Sequence, residues 1–280
     1  MQPITEDDIT KSIKQLQNKA TLDINDVSVS LMKFVSTPLT IPLKHIFNLS
    51  ISKGVFPAGL KLSKTSPIFK STGSQTDPNN YRPISMINTF SKVLEKIIAT
   101  KLITFLNQTN FFSDEQFGFR ENRNTYHAVL KIINYITEGL NEKKFVAGIF
   151  LDISKAFDSV PHKILLDKLY HYGVRGVAHT WFKSYLSDRQ QKVKVNGVFS
   201  SNIENIVIGV LQGSILGVLL FLIFINDLPR QTTSKFYNII FADDTTALAK
   251  DYSLEHLVEF CNIELSHLNT WFNANKLLLN

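Results

Sequence analysis

A chain of 280 residues with 44% apolar side chains can bury a core, which excludes disorder as the default. Its 30 Lys and Arg against 24 Asp and Glu leave a formal charge of +6, which favours contact with phosphates without establishing it. Cys261 is the single cysteine, which excludes an intramolecular disulfide, and the N-terminus lacks the blocks of a signal peptide, so an intracellular protein, nuclear or cytoplasmic, is expected.

In chain order, residues 39–53 form a helix stopped by Gly54 with Pro57 beyond it. A Gly-, Pro-, Ser- and Asn-rich loop covers residues 71–83. Phe90, Val93, Leu94, Ile97, Ile98, Leu102, Phe105 and Leu106 then recur every three or four residues and place an apolar stripe on a long helix. Lys92, Glu95, Lys96 and Lys101 fall on its other face, read as solvated. A second amphipathic helix is written in Ala128, Val129, Ile132, Ile133, Ile136 and Leu140, and the apolar run 145–153 after it reads as a buried strand.

Helical patterns resume at residues 164–170 and 181–186, followed by alternation over 192–195 into Asn196-Gly197, a hairpin signal. Residues 206–225 are nearly apolar over about the twenty residues that span a bilayer. Gln212, Ser214 and three glycines interrupt the run and no basic flank orients it, so it is read as a core helix over 215–225, with no membrane partner. A strand over 236–241, the turn acids discussed below and a helix over 254–272 complete the pattern. The fold class is α+β, an antiparallel sheet with helices packed on one face.

Asp152 ends the strand that begins at Phe145, where a desolvated carboxylate costs several kcal/mol unless a cation or strong donors meet it. Asp243-Asp244 lies between two β-forming runs, so a tight hairpin holds both acids at its tip. Adjacent acids at a turn are ordinarily solvated, but with the two strands side by side three carboxylates converge. Such hard oxygen ligands suit magnesium, which fills its shell with water and substrate phosphates. Two ions about 4 Å apart activate a hydroxyl and stabilise a leaving pyrophosphate. The sequence holds no Cys/His cluster with zinc spacing and no Walker-type glycine loop.

At these residues the sequence resembles the reverse transcriptases of non-LTR (LINE-like) retrotransposons. The matching blocks include Asn80-Tyr81-Arg82-Pro83-Ile84-Ser85, Gln116-Phe117-Gly118-Phe119-Arg120 and Leu151-Asp152 through Phe157-Asp158. Gln212-Gly213-Ser214, Ile225-Asn226-Asp227-Leu228-Pro229 and Phe241-Ala242-Asp243-Asp244 follow in order and at suitable spacing.

The resemblance implies a right-hand polymerase with fingers and palm, its antiparallel palm sheet backed by helices and its thumb absent. Residues 1–40 would be an N-terminal extension, 41–144 fingers-like and 145–280 palm-like. The implied activity is RNA-directed DNA polymerisation, joining dNTPs to a DNA primer on an RNA template. Two Mg2+ ions, or Mn2+ in their place, would be held by the catalytic acids Asp152, Asp243 and Asp244.

Phe157 matches the ring that excludes a 2′-hydroxyl from the sugar site, or else is a core phenylalanine. Gln212 and Gly213 match the turn lining the nucleotide and template pocket. Arg82 and Arg120 match positions near the triphosphate or template, or are surface charges. Leu211 and Val218 stand where the family has proline, which is expected to loosen the turn presenting Gln212. The length leaves no room for a thumb or an endonuclease domain, so a fragment or shortened relic is expected. Two alternatives follow: a silent relic that keeps the fold and RNA binding, and an RNA-templated RNA polymerase, which Phe157 disfavours.

Overall fold

In the computed structural model, residues 2–18, 21–195 and 197–280 are described. The elements run α1 (Glu6–Gln15), α2 (Val29–Phe34), α3 (Ser36–Lys53), β1 (Leu62–Phe69), β2 (Tyr81–Ile87), α4 (Thr89–Asn107), α5 (Thr125–Asn141) and β3 (Phe145–Leu151). They continue through α6 (His162–His171), α7 (Gly176–Leu186), β4 (Arg189–Val195), β5 (Val198–Phe199), β6 (Glu204–Ile206), α8 (Ile215–Ile225), β7 (Tyr237–Phe241), β8 (Asp244–Asp251) and α9 (Leu254–Ala274). The chain divides into two compact units, each drawn from two stretches of sequence. One comprises the residues up to Phe105 with His162–Leu219, the other Leu106–Pro161 with Leu220–Asn280.

The first unit is built on a mixed sheet in the order β2-β1-β4-β5, with β6 also on β4. β1 pairs antiparallel with β2 and parallel with β4, so this mixed sheet is additional to the single antiparallel one expected. The segment read as a loop over 71–83 gives way at Tyr81 to β2, whose Pro83 stands opposite Pro67 of β1. Val195 pairs with Val198 as a hairpin requires, while Asn196 of the expected turn lies outside the described residues.

The core of this unit is aromatic. Trp181 and Tyr185, one helical turn apart on α7, stack 5.7 Å apart, and Phe56 meets both edge-on at 5.5 and 5.1 Å. The Trp181 Nε1–H donates to Ser50 Oγ at 2.9 Å. The N-terminal residues belong to this unit. Thr5 and Asp8 form a reciprocal capping box on α1, and the Asn48 side chain bonds both backbone groups of Ile4. α3 closes on Gly54 in the left-handed conformation, as its sequence signal requires.

The second unit holds an antiparallel sheet in the order β3-β8-β7. The registers place Tyr237, Ile239, Phe241 and Leu248 on one face. There Ile239 and Leu248 pack with Phe117 and with Ala128 of α5, and Ile132 and Tyr135 lie against the group. The other face carries Ile240, Thr245, Ala247 and Ala249, all buried, and α9 packs against β8 and β3. Both faces are therefore covered rather than one.

β3 departs further from its reading, since none of its residues is buried and Phe150 is 76% exposed. An apolar run of strand length reports β-propensity, not depth, because strand residues alternate faces and an edge strand is covered only in part. α8 spans the residues read as a core helix, with Leu216 and Phe221 fully buried. No helix among the described residues is long and apolar enough to cross a membrane.

Candidate active site

The acids are positioned by strand register. β3 and β8 pair from Phe145 opposite Asp251 to Leu151 opposite Thr245, so Asp152 leaves the ladder at the end where β8 begins. β7 and β8 close with Phe241 opposite Asp244, which leaves Ala242 and Asp243 as a two-residue turn. Ala242 takes a left-handed φ of 58°, the conformation a tight hairpin demands. Asp152 and Asp244 are exposed and Asp243 is half-buried, so the expected desolvation of Asp152 does not occur.

The chain beyond α9 returns to this end of the sheet. Leu279 bridges Ile153, Ser154 N–H donates to Leu278 C=O at 2.8 Å, and Asn280 N–H donates to Asp152 C=O at 3.0 Å. The Asn280 side-chain amide donates to Asp152 Oδ2 at 2.6 Å, which orients that carboxylate.

Among the described residues no three His, Cys, Asp or Glu side chains are grouped closely enough to hold a metal ion. The three carboxylates expected to converge are therefore not grouped as a metal-holding set among the described residues. What the register provides is acids at one open strand end. Such a donor set fits a hard cation that completes its shell with water and phosphate oxygens, as magnesium does, and does not fit a site that must enclose its ion. Its carboxylates are also the ligand type that manganese takes.

Phe157 lies in a short 3-10 turn after Asp152, half-buried, its ring 4.5 Å from that of Phe221 at an interplanar angle of 28°. One ring face is thus occupied by packing. Arg120 belongs to the same unit. Its guanidinium lies 4.3 Å above the Phe112 ring and Nη1 donates to Ser113 C=O at 3.5 Å. Burial and then the nearby Arg123 lower its pKa, with Asp114 opposing. Arg120 is therefore held in a fixed orientation rather than splayed into solvent.

Arg82, Gln212 and Gly213 fall in the first unit. Arg82 is exposed on β2, opposite Ile68 of β1. The turn at Gln212 docks on the outer edge of β2, where Ser85 N–H donates to Gln212 C=O at 2.8 Å. Gly213 has φ +110°, and a Cβ there would stand 2.6 Å from Ser85 C=O, so this glycine admits the edge of β2 itself.

On its far side the turn enters α8 through three bonds. Ser214 N–H donates to Leu211 C=O at 3.2 Å, Gly217 N–H to Ser214 Oγ at 2.8 Å, and Leu216 N–H to Glu95 Oε2 at 3.2 Å. These contacts hold a turn that lacks the prolines absent at Leu211 and Val218.

Glu95 corrects the reading of α4, because it is fully buried instead of lying on a solvated face. Ser91 Oγ donates to its Oε1 at 3.2 Å, and burial raises its pKa against the lowering influence of Arg189, the Leu216 N–H, Tyr185 and Ser91. Arg189 is itself buried, its guanidinium 4.6 Å above the Tyr185 ring. The contacts of Ser85, Glu95 and Asn280 are not written in local sequence, because each residue meets its partner only through the fold.

Comparison with known proteins agrees with the motifs. Residues 68–280 match the family described as reverse transcriptase (RNA-dependent DNA polymerase). The chain is 32% identical over 236 residues to the probable RNA-directed DNA polymerase from transposon BS of Drosophila melanogaster, covering 82% of this chain and 25% of that protein. It is 34% identical over 218 residues to the RNA-directed DNA polymerase from mobile element jockey of the same species, covering 76% and 24%. The jockey protein of Drosophila funebris is 27% identical over 275 residues, 96% of this chain and 30% of that protein. The chain thus spans about a quarter of the length of these relatives.

Proposed function

Because the chain belongs to the reverse transcriptase family, with the enzymes of non-LTR retrotransposons, we propose that it adds deoxynucleotides to a primer 3′-hydroxyl on an RNA template. The observation that carries this reading is the register that brings Asp152 to the strand end where Asp243 closes the turn and Asp244 begins β8.

In this reading the three carboxylates hold negative charge at an exposed edge, facing a triphosphate they repel unless cations intervene. Magnesium, or manganese in its place, would supply there the charge that activates the hydroxyl and neutralises the leaving pyrophosphate. Asn280 fixes one Asp152 oxygen and so orients the carboxylate. The half-buried Phe157 ring, backed by Phe221, is rigid enough to exclude a 2′-hydroxyl. Gln212 and Gly213 form the turn that meets nucleotide and template, and Arg82 and Arg120 contact phosphates. The β3-β8-β7 sheet is the palm, within the palm-like residues 145–280, and β1 and β2 lie in the fingers-like residues 41–144.

Primer extension on an RNA template with deoxynucleotides and Mg2+ tests the proposal, with Asp152→Asn and Asp243→Asn as controls. The expected result is extension by the wild type that both substitutions abolish. Extension that survives both substitutions would remove the acids from the mechanism. A folded wild type that binds RNA without extending would favour the relic.

A further inference from the structure

In the segment Gln116-Phe117-Gly118-Phe119-Arg120 the geometry points to Gln116, rather than Arg120 alone, as a positioning residue that holds the Asp243 turn. This inference rests on the reading of Asp243 as a catalytic acid.

Gln116 is 3% exposed, unusually deep for a glutamine, so its side chain must be bonded. Its Oε1 accepts two backbone N–H groups, from Gly118 at 2.7 Å and from Ala242 at 3.0 Å. The orientation of the amide follows from these partners, since an NH2 group facing two N–H donors would be repelled.

Ala242 immediately precedes Asp243 and is the left-handed residue of the turn. A non-glycine residue at positive φ costs roughly 1 kcal/mol, and its conformation persists only where the surroundings fix it. The Gln116 oxygen is what fixes it on this side.

The backbone of the same segment is fastened to the strand leading into the turn. Ile240 N–H donates to Glu115 C=O at 2.8 Å and Phe117 N–H donates to Ile240 C=O at 2.7 Å, forming a parallel bridge between Gln116 and Ile240. Arg123 Nη1 donates to Gln116 C=O at 3.2 Å, and its guanidinium lies 5.2 Å from the Phe117 ring.

Gly118 completes the arrangement. A Cβ there would stand 2.3 Å from Ala242 N and 2.9 Å from Phe241 C, so only glycine lets the two backbones touch. The spacing Gln-x-Gly is thus explained by one contact. The glutamine supplies an acceptor that can take two bonds, and the glycine two residues on admits the turn beside it. A catalytic acid on a hairpin tip needs such support, because metal-binding geometry tolerates errors of only about 0.5 Å.

The test compares wild type with Gln116→Met, which keeps length and loses the acceptor, and Gln116→Glu, which keeps an acceptor. Amide hydrogen exchange reads the turn, and titration with Mn2+ followed by electron paramagnetic resonance reads the acids without requiring activity. Gln116→Met should speed exchange at Ala242 about tenfold or more while Leu248 in mid-strand keeps its rate. The Mn2+ concentration for half-saturation should rise severalfold. Gln116→Glu should restore slow exchange at Ala242.

Unchanged exchange at Ala242 in Gln116→Met would overturn the clamp. Faster exchange with unaltered Mn2+ binding would overturn its positioning role. Asp243→Asn separates the two levels of the argument: if Mn2+ binding ignores that substitution, the reading of Asp243 fails, and the positioning role with it, whatever the exchange shows.

Discussion

Leu151 of β3 stands opposite Thr245 of β8, so Asp152, the residue after β3, comes into line with Asp244 at the start of β8. The ladder is continuous over Phe145–Leu151, and a slip by one residue would move Asp152 to the other face of the sheet. The relationship is therefore specified by the whole pairing of the two strands rather than by the turn alone.

Asp243→Asn should reduce primer extension by a factor of about a hundred or more, since the amide keeps the size of the side chain and removes its charge. The residue sits half-buried in a turn, so the free energy of unfolding should change by no more than about 1 kcal/mol. Single-turnover extension and urea unfolding measure the two effects. A folded variant that extends at the wild-type rate contradicts the assignment.

Phe157→Ala should raise incorporation of ribonucleotides relative to deoxynucleotides. It should also destabilise the protein by about 1–3 kcal/mol, because the ring leaves its stack on Phe221. The two readouts separate the roles of the ring. Loss of stability with unchanged sugar selectivity would make Phe157 a packing residue only.

What the sequence revealed and what it withheld follow one physical division. α4, α5, α8 and α9 were legible because helical periodicity is local, as was the placement of the acids at strand ends. β1 and β2 were hidden by their prolines, which ordinarily demote a strand. Pro67 and Pro83 oppose each other at positions whose N–H would point away from the partner strand, as the Ser85 N–H does toward Gln212, so neither costs a ladder bond. α1 carries a local signal in Thr5 and Asp8, which cap its first turn. The supporting contacts of the site were beyond local reading. Asn280 meets Asp152 across 128 residues and Glu95 meets Leu216 across 121, and no periodicity encodes either.

Gly213→Ala should cost about 2–3 kcal/mol, combining a disfavoured backbone conformation with a Cβ 2.6 Å from the Ser85 carbonyl. The clash is with backbone, so relief requires the turn to leave β2. KM for the nucleotide should then rise more than kcat falls, if Gln212 contacts the nucleotide before chemistry. Urea unfolding and steady-state extension check both. A variant of wild-type stability would show that the turn does not need its contact with β2.

Glu95 makes stability depend on pH in a direction opposite to that of most carboxylates. Burial holds its pKa above the ordinary value of 4.5, despite the opposing influence of Arg189 and the hydrogen bonds it accepts. The folded protein therefore keeps this proton in a range where the unfolded chain has lost it. Stability from this group is fully present below about pH 4.5 and is lost as pH rises through the folded pKa. Each unit of elevation corresponds to about 1.4 kcal/mol lost once the folded group ionises. Glu95→Gln carries a neutral side chain at every pH and so resembles the wild type in acid, with Arg189 facing a neutral partner in both. Urea midpoints of the two proteins should coincide near pH 4.5 and diverge as pH rises, the variant becoming relatively more stable. Burial lowers the pKa of His162, which titrates in both proteins, so the difference between the profiles isolates Glu95. Parallel profiles across this range would mean that Glu95 ionises in the fold as readily as in the unfolded chain, with Arg189 and its hydrogen bonds offsetting the whole cost of burial.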